Sequence, residues 1–332
     1  MLGTGSNLGR LFALSAETGA SDLLAWHYFR LCLAYCGLML LISLGLAGPV
    51  GISAEFLVLV FRVTAQFGFW LVMMLLLVQA LFRPDRLNGQ ALGAALFAIG
   101  GQALFYAGFH ATKLLVPVPA GFWADAALTR LDAWLHGGSA FALYDRLAGG
   151  LFPDAWIDFY YAPLWLCLAF AFPILLIIHD DDVRRRLHYL RLNLLVWVVL
   201  GNVLAILFAS AGPVFHARTG DAAQFAEVTA FLHSQRAVMP DIIHIQDHLW
   251  EQHRQGMLGT GISAFPSLHV AAAIVPVVYA LERWRWRALP LLLHPLIVQY
   301  CSVRTGYHYG LDGYASLLGV LALHALLRRL PR

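Results

Sequence analysis

Charge is what this chain has least of. Only 12% of its 332 residues are Asp, Glu, Lys or Arg, where a soluble domain carries about 25%. With 60% of residues hydrophobic and a mean hydropathy of +0.69, that scarcity excludes a soluble protein and points to a polytopic membrane protein. Cysteine is scarce too, with four residues. Cys32 and Cys36, four apart in one apolar run, read as small packing residues rather than as a disulfide or metal pair, and Cys167 and Cys301 also lie in apolar runs. Residues 1–25 show no apolar core followed by a cleavage site, so no removable signal peptide is expected. The net charge of +3 comes from arginines distributed along the chain rather than gathered in a patch, which speaks against nucleic acid as a partner.

What is present is a series of apolar runs: 31–47, 63–82, 91–109, 159–178, 190–211, 264–281, 288–302 and 311–327. They predict an all-α membrane bundle of about eight spans, the seventh short and interrupted by His294 and Pro295. Arginines cluster after the second run (Arg83, Arg86), after the fourth (Arg184, Arg185, Arg186), after the sixth (Arg283, Arg285, Arg287) and in the tail (Arg328, Arg329, Arg332). Eight spans put all of these on one side, which the positive-inside rule makes cytoplasmic together with both termini. The Arg283–Arg287 run, alternating with tryptophan, then reads as an interfacial anchor.

The opposite side receives the chemistry. In GTGISAFPSLHVAAA (259–273) and SVRTGYHYGLDGY (302–314) a histidine stands where a polar loop becomes an apolar helix. His308 and Asp312 are four apart, so on a helix the carboxylate accepts a hydrogen bond from one imidazole nitrogen and leaves the other free. A histidine so oriented suits a nucleophile or general base, and His269 suits the acid that protonates a leaving group. Ser263, Ser267, Thr305 and Gly306 allow close approach of an anion to backbone N–H groups.

Phe265-Pro266-Ser267-Leu268-His269-Val270 and Thr305-Gly306-Tyr307-His308-Tyr309-Gly310-Leu311-Asp312 resemble the second and third motifs of the type 2 phosphatidic acid phosphatase superfamily. Within it they look most like the branch holding the inositol phosphorylceramide synthases and their bacterial relatives. The resemblance implies a six-helix core over 91–332 behind an N-terminal region, 1–90, with two extra spans. It also implies that His308 attacks phosphorus to give a phosphohistidine, that Asp312 orients it, that His269 is the general acid and that Ser267 binds a phosphate oxygen. No metal and no cofactor are implied. The superfamily's third motif begins Ser-Arg, with the arginine six residues before the histidine; here that place is Ser302, and the nearby arginine is Arg304, four residues before His308. Its first motif, a lysine followed by Arg-Pro, should fall near 209–218, which has no lysine and offers Arg218 instead.

Three other stretches bear on the substrate. Residues 112–158 contain an amphipathic segment in which Leu128, Leu131, Trp134 and Leu135 recur at helical spacing while Arg130 and Asp132 face away, as in a helix lying in the headgroup plane. It reads as a floor or lid for the lipid, or as simple interfacial packing. The loop 219–262 holds His233, His244, His248 and His253; His244 and His248 have metal-ligand spacing, but no third ligand is well spaced. Asp158, Tyr160 and Tyr161 open the fourth span and suit a polyol acceptor, or else an aromatic belt with a snorkelling acid.

The expectation is an enzyme of the membrane surface: a lipid phosphatase or headgroup phosphotransferase taking a lipid phosphate or phosphodiester from the outer leaflet. Its acceptor is water, a polyol or a lipid alcohol. The expected setting is a bacterial inner membrane with the site facing the periplasm. The alternative is a non-enzymatic lipid transporter or lipid-binding protein, favoured by the missing first motif and the displaced Arg304.

Overall fold

Apolar chain satisfies its backbone inside a bilayer as helices, because each N–H and C=O then finds a partner in the same segment. The computed structural model describes residues 20–47, scattered positions between 70 and 84, 89–113, 115–116, 120–220, 222–255 and 261–329. Among these residues the chain is helical, without strands. We number its helices α1 Ala20–Ala47, α2 Gly89–Lys113, α3 Asp125–His136, α4 Ala140–Ala148, α5 Asp154–His179 and α6 Val183–Leu207. There follow α7 Pro213–Thr219, α8 Ala226–Ser234, α9 Pro240–Arg254, α10 Leu268–Trp284, α11 Leu293–Arg304 and α12 Gly310–Arg329.

Five helices, α1, α2, α5, α6 and α12, are long and apolar enough to cross a membrane. The expected sixth and seventh spans are shorter than this, at 17 residues for α10 and 12 for α11, and the expected second span lies largely outside the described residues, as do Arg83 and Arg86. Small residues let α1 and α2 pack side by side in parallel. Phe29 lies on Gly100 and Gly101, and a Cβ on Gly108 would stand 2.7 Å from the Cα of Cys36, the close backbone approach that small residues permit between membrane helices.

The ends of the bundle differ in character. At one end the Asp180 carboxylate takes Arg185 at 2.6 Å, Arg283 at 3.0 Å and the Tyr279 hydroxyl at 2.8 Å, while Glu282 receives Arg328 and His324. Burial alone would raise the Asp180 carboxyl, but these donors hold it at about 2. At the other end stand the first turns of α10 and α12, with His269 and Asp312. Arg283 and His269 share α10, so about 20 Å of helix separates the two chemistries.

The segment α3 corrects the expected amphipathic pattern. Asp132 does not face away: it is buried with Asp125 and Thr129 against the protein, while Leu131, Trp134 and Leu135 are 46%, 76% and 47% exposed. The protein face thus carries Asp125, Thr129 and Asp132 with Leu128, and the outer face carries Leu131, Trp134 and Leu135 with Arg130, a mixture suited to the border of the hydrocarbon.

Candidate active site

The site is built where α10, α12 and the loops before them meet. Ser267 starts α10 by accepting the Val270 N–H on its side-chain oxygen, and its own N–H donates to the Asp312 carbonyl. Ser316 donates to the carbonyls of both Ser267 and Asp312 at 2.8 Å. The two histidine motifs are thus tied backbone to backbone.

His308 lies in the turn before α12 rather than on it, so its contact with Asp312 is not the helical stacking the spacing suggests. Asp312 Oδ2 reaches back out of the first turn to accept the Tyr309 N–H at 3.1 Å and stands 3.1 Å from His308 Nδ1. An oxygen already accepting from the backbone serves as acceptor for the ring as well, which places the ring proton on Nδ1 and makes Nε2 the nitrogen that carries the lone pair. The His269 ring centroid is 5.8 Å from that of His308. It is held from the other side by Tyr161, stacked at 4.4 Å, and by Trp165 at 4.0 Å, whose indole N–H donates to the His269 carbonyl at 2.9 Å.

Tyr161 and Trp165 reach His269 through a wider helical turn. Residues 160–164 of α5 form a π-helical segment containing Pro163, which lacks the N–H that α-helical bonding requires. A second π-helical segment, 196–204 in α6, presents Trp197 and Gly201 to the same space. Together they line a cavity of about 520 Å³ with both histidines, Lys113, Ser263, Asp241 and His244. His308 also borders a smaller cavity of about 210 Å³, beside Thr129, Asp132, Ser139 and Tyr309. Burial pushes the His308 imidazole down, and the Lys113 charge pushes the same way, to about 3; the ring is unprotonated at neutral pH.

The loop at 209–213, where a first motif was expected, does adjoin the site, but through its backbone. Ser210 accepts the N–H groups of Ala264 and Phe265 at 2.9 Å on its carbonyl and hydroxyl, and Val214 N–H donates to Gly306 at 2.9 Å. Gly212 has φ +86°, and a Cβ there would lie 2.3 Å from the Tyr307 carbonyl oxygen. From α3, Asp125 accepts the N–H groups of Ala211 and Gly212 and the hydroxyl of Tyr309, and Asp132 accepts the N–H of Leu311.

A model of the PAP2 superfamily matches residues 126–326, more than half of the chain. The chain belongs to the PAP2 superfamily. No curated protein and no solved structure matches it. The PAP2 match takes in α3 to α12, hence both histidines and Asp312, and ends short of α2. Membership and the five apolar helices make this a membrane protein with a phosphatase-type fold.

Of the residues expected at the site, His269, His308, Asp312 and Tyr161 come together, and Ser267 sits beside them as the α10 cap. Others do not join them. Arg304 pairs with Asp145 and, at 3.6 Å, with Asp154, its guanidinium 3.9 Å from the centre of the Phe231 ring. Arg218 donates to Asp247, which also takes Arg236. Asp158 caps α9, accepting the N–H groups of Asp241 and Ile242. Tyr160 bonds His294 at 2.6 Å and stacks on Trp156. His248 bonds Gln252, and among the described residues no group of three His, Cys, Asp or Glu is placed to hold a metal. One lining residue was missed: Lys113, at the end of α2. Composition carried its signal, since it is the single lysine among 332 residues.

Proposed function

We propose that the protein is an integral-membrane phosphatase or phosphotransferase of lipid phosphate esters that works through a phosphohistidine on His308. The observation that carries this reading is the Asp312–His308 hydrogen bond at 3.1 Å, on a ring that lines a largely apolar cavity shared with His269. Nε2 of His308 attacks phosphorus, the bond from phosphorus to the leaving oxygen breaks, and His269 gives that oxygen its proton. Water, or the hydroxyl of a polyol or lipid alcohol, then yields its proton to His269 and attacks phosphorus as the N–P bond breaks. Asp312 holds the imidazole in the reactive tautomer and stabilises the positive ring formed in the first step.

Water as acceptor makes a phosphatase, and an alcohol makes a headgroup transferase of the inositol phosphorylceramide synthase kind, which the two motifs resemble. With the arginine end in the cytoplasm, the site opens to the outer leaflet, in a bacterium the periplasmic side of the inner membrane. A second reading, a lipid transporter or lipid-binding protein without turnover, is favoured by the engagement of Arg304 and Arg218 with carboxylates away from the cavity.

The test uses purified protein in detergent with phosphatidic acid, with and without added inositol. Phosphate release, or transfer of the phosphoryl group to inositol as a new phosphomonoester, lost in His308→Ala and lowered about 10²-fold or more in His269→Ala, supports the enzyme. Acid quenching of wild type during turnover should trap a phosphoenzyme that His308→Ala cannot form. Turnover persisting in His308→Ala would refute the mechanism; lipid binding without turnover in wild type would favour the second reading.

A further inference from the structure

A phosphoryl group passing through a five-coordinate transition state needs fixed positive charge or donors around its equatorial oxygens. Neither arginine expected to supply it faces the cavity. We propose that Lys113, on a helix outside the PAP2 match, is the group that binds the phosphate oxygens in this site.

Four observations support the assignment, which rests on the phosphohistidine reading for its substrate but not for its anion site. Lys113 lines the cavity that contains His269 and His308, and among the described residues it is, the histidines apart, the one basic side chain in that lining. It has no carboxylate partner among the described residues, whereas Arg304, Arg218, Arg185 and Arg283 each have one. Its ammonium lies 5.9 Å from the centre of the Phe109 ring, a weak cation–π contact that offers the charge no anionic counter-ion. Its field reaches His308, lowering the affinity of that ring for a proton. A cation buried without a counter-ion is costly, and a phosphate ester in the cavity removes the cost by becoming the counter-ion. The position also favours retention of the charge, since Lys113 closes the last turn of α2, where the helix dipole stabilises cations.

The alternative for such a residue is a lysine at a helix end that snorkels to the headgroups and touches no substrate. The two differ in what removal does to anion binding. The full chain in detergent is compared as wild type, Lys113→Gln and Lys113→Arg, by thermal shift with inorganic phosphate, orthovanadate and short-chain phosphatidic acid, and in parallel by turnover. Binding of phosphate and vanadate should weaken about tenfold or more in Lys113→Gln, the loss expected for one charged hydrogen bond, and be largely restored in Lys113→Arg. Loss seen with the lipid phosphate but not with the free anions would still support the site and would show that lipid context is needed to reach it. Unchanged binding of all three ligands in Lys113→Gln overturns the proposal while leaving the mechanism standing, as does wild type that turns over lipid yet shows no anion-dependent shift. Wild type with neither binding nor turnover overturns both. If Lys113→Gln is poorly recovered, Lys113→Met and Lys113→Arg carry the comparison, since only the latter keeps the charge.

Discussion

Replacing Asp125 with alanine withdraws one acceptor from three donors: Ala211 N–H at 2.8 Å, Gly212 N–H at 3.1 Å and the Tyr309 hydroxyl at 2.8 Å. The two N–H groups lie in a buried loop, so each costs about 1–3 kcal/mol when left unpaired. Tyr309 keeps a bond from Thr129 at 3.2 Å, so its hydroxyl adds little. The expected loss is about 3–5 kcal/mol, most of it from the loop rather than from the tyrosine. Tyr309→Phe, which removes the bonds to Asp125 and from Thr129 but leaves the carboxylate its two backbone donors, should cost less, about 1–2 kcal/mol. Both are measured as shifts in unfolding free energy in mixed detergent micelles, with turnover followed in the same samples. Since Tyr309 is the neighbour of His308, Asp125→Ala should also lower kcat more than it raises KM. Equal losses for the two variants, or a loss below about 1 kcal/mol in Asp125→Ala, would refute the view that α3 braces the catalytic turn through the backbone.

Other expectations follow from the same geometry. Gly212→Ala puts a Cβ 2.3 Å from the Tyr307 carbonyl at φ +86°, whereas Gly121, at φ +62°, has nothing within 4 Å; recovery of monodisperse protein should collapse for the first and not for Gly121→Ala. At the arginine end, the Asp180 carboxyl is held at about 2 by Arg185, Tyr279 and the Asp182 N–H, below its ordinary value near 3.9. Its contribution to stability is therefore fully present above about pH 4 and lost as pH falls through about 2. The gap in unfolding temperature between wild type and Asp180→Asn should close over that window; a gap constant with pH would refute it.

The spans and the histidine pair were legible because their signals are local. An apolar run of about 20 residues specifies a membrane helix wherever it stands, and Asp312 reaches His308 within one turn. What was missed depends on partners distant in the chain. Arg304 has a plausible spacing in its motif, but Asp145 and Asp154 decide where its guanidinium goes, and Asp247 does the same for Arg218. Asp158 and Tyr160 look like acceptor groups until α9 and His294 claim them. The inversion of α3 has another cause. Helical periodicity separates two faces but does not say which one meets the protein, and beside a bilayer the apolar face can be the outer one.

That inversion bears on the electrostatics of the site. Buried carboxylates in a membrane protein are costly unless donors meet them, and here Asp125, Asp132 and Asp312 each take backbone N–H groups from the loops that carry or adjoin His308. The turn is fixed by charge-assisted bonds to its own backbone, which holds the imidazole in register with His269 at little cost in side-chain freedom. Lys113 stands in the larger cavity with the two histidines, whereas Asp132 borders the smaller one beyond His308. The ring therefore stands between a side built of acidic residues and a cavity in which Lys113 supplies the positive charge. On the proposed mechanism an anionic ester enters from the side of Lys113, which His269 also lines.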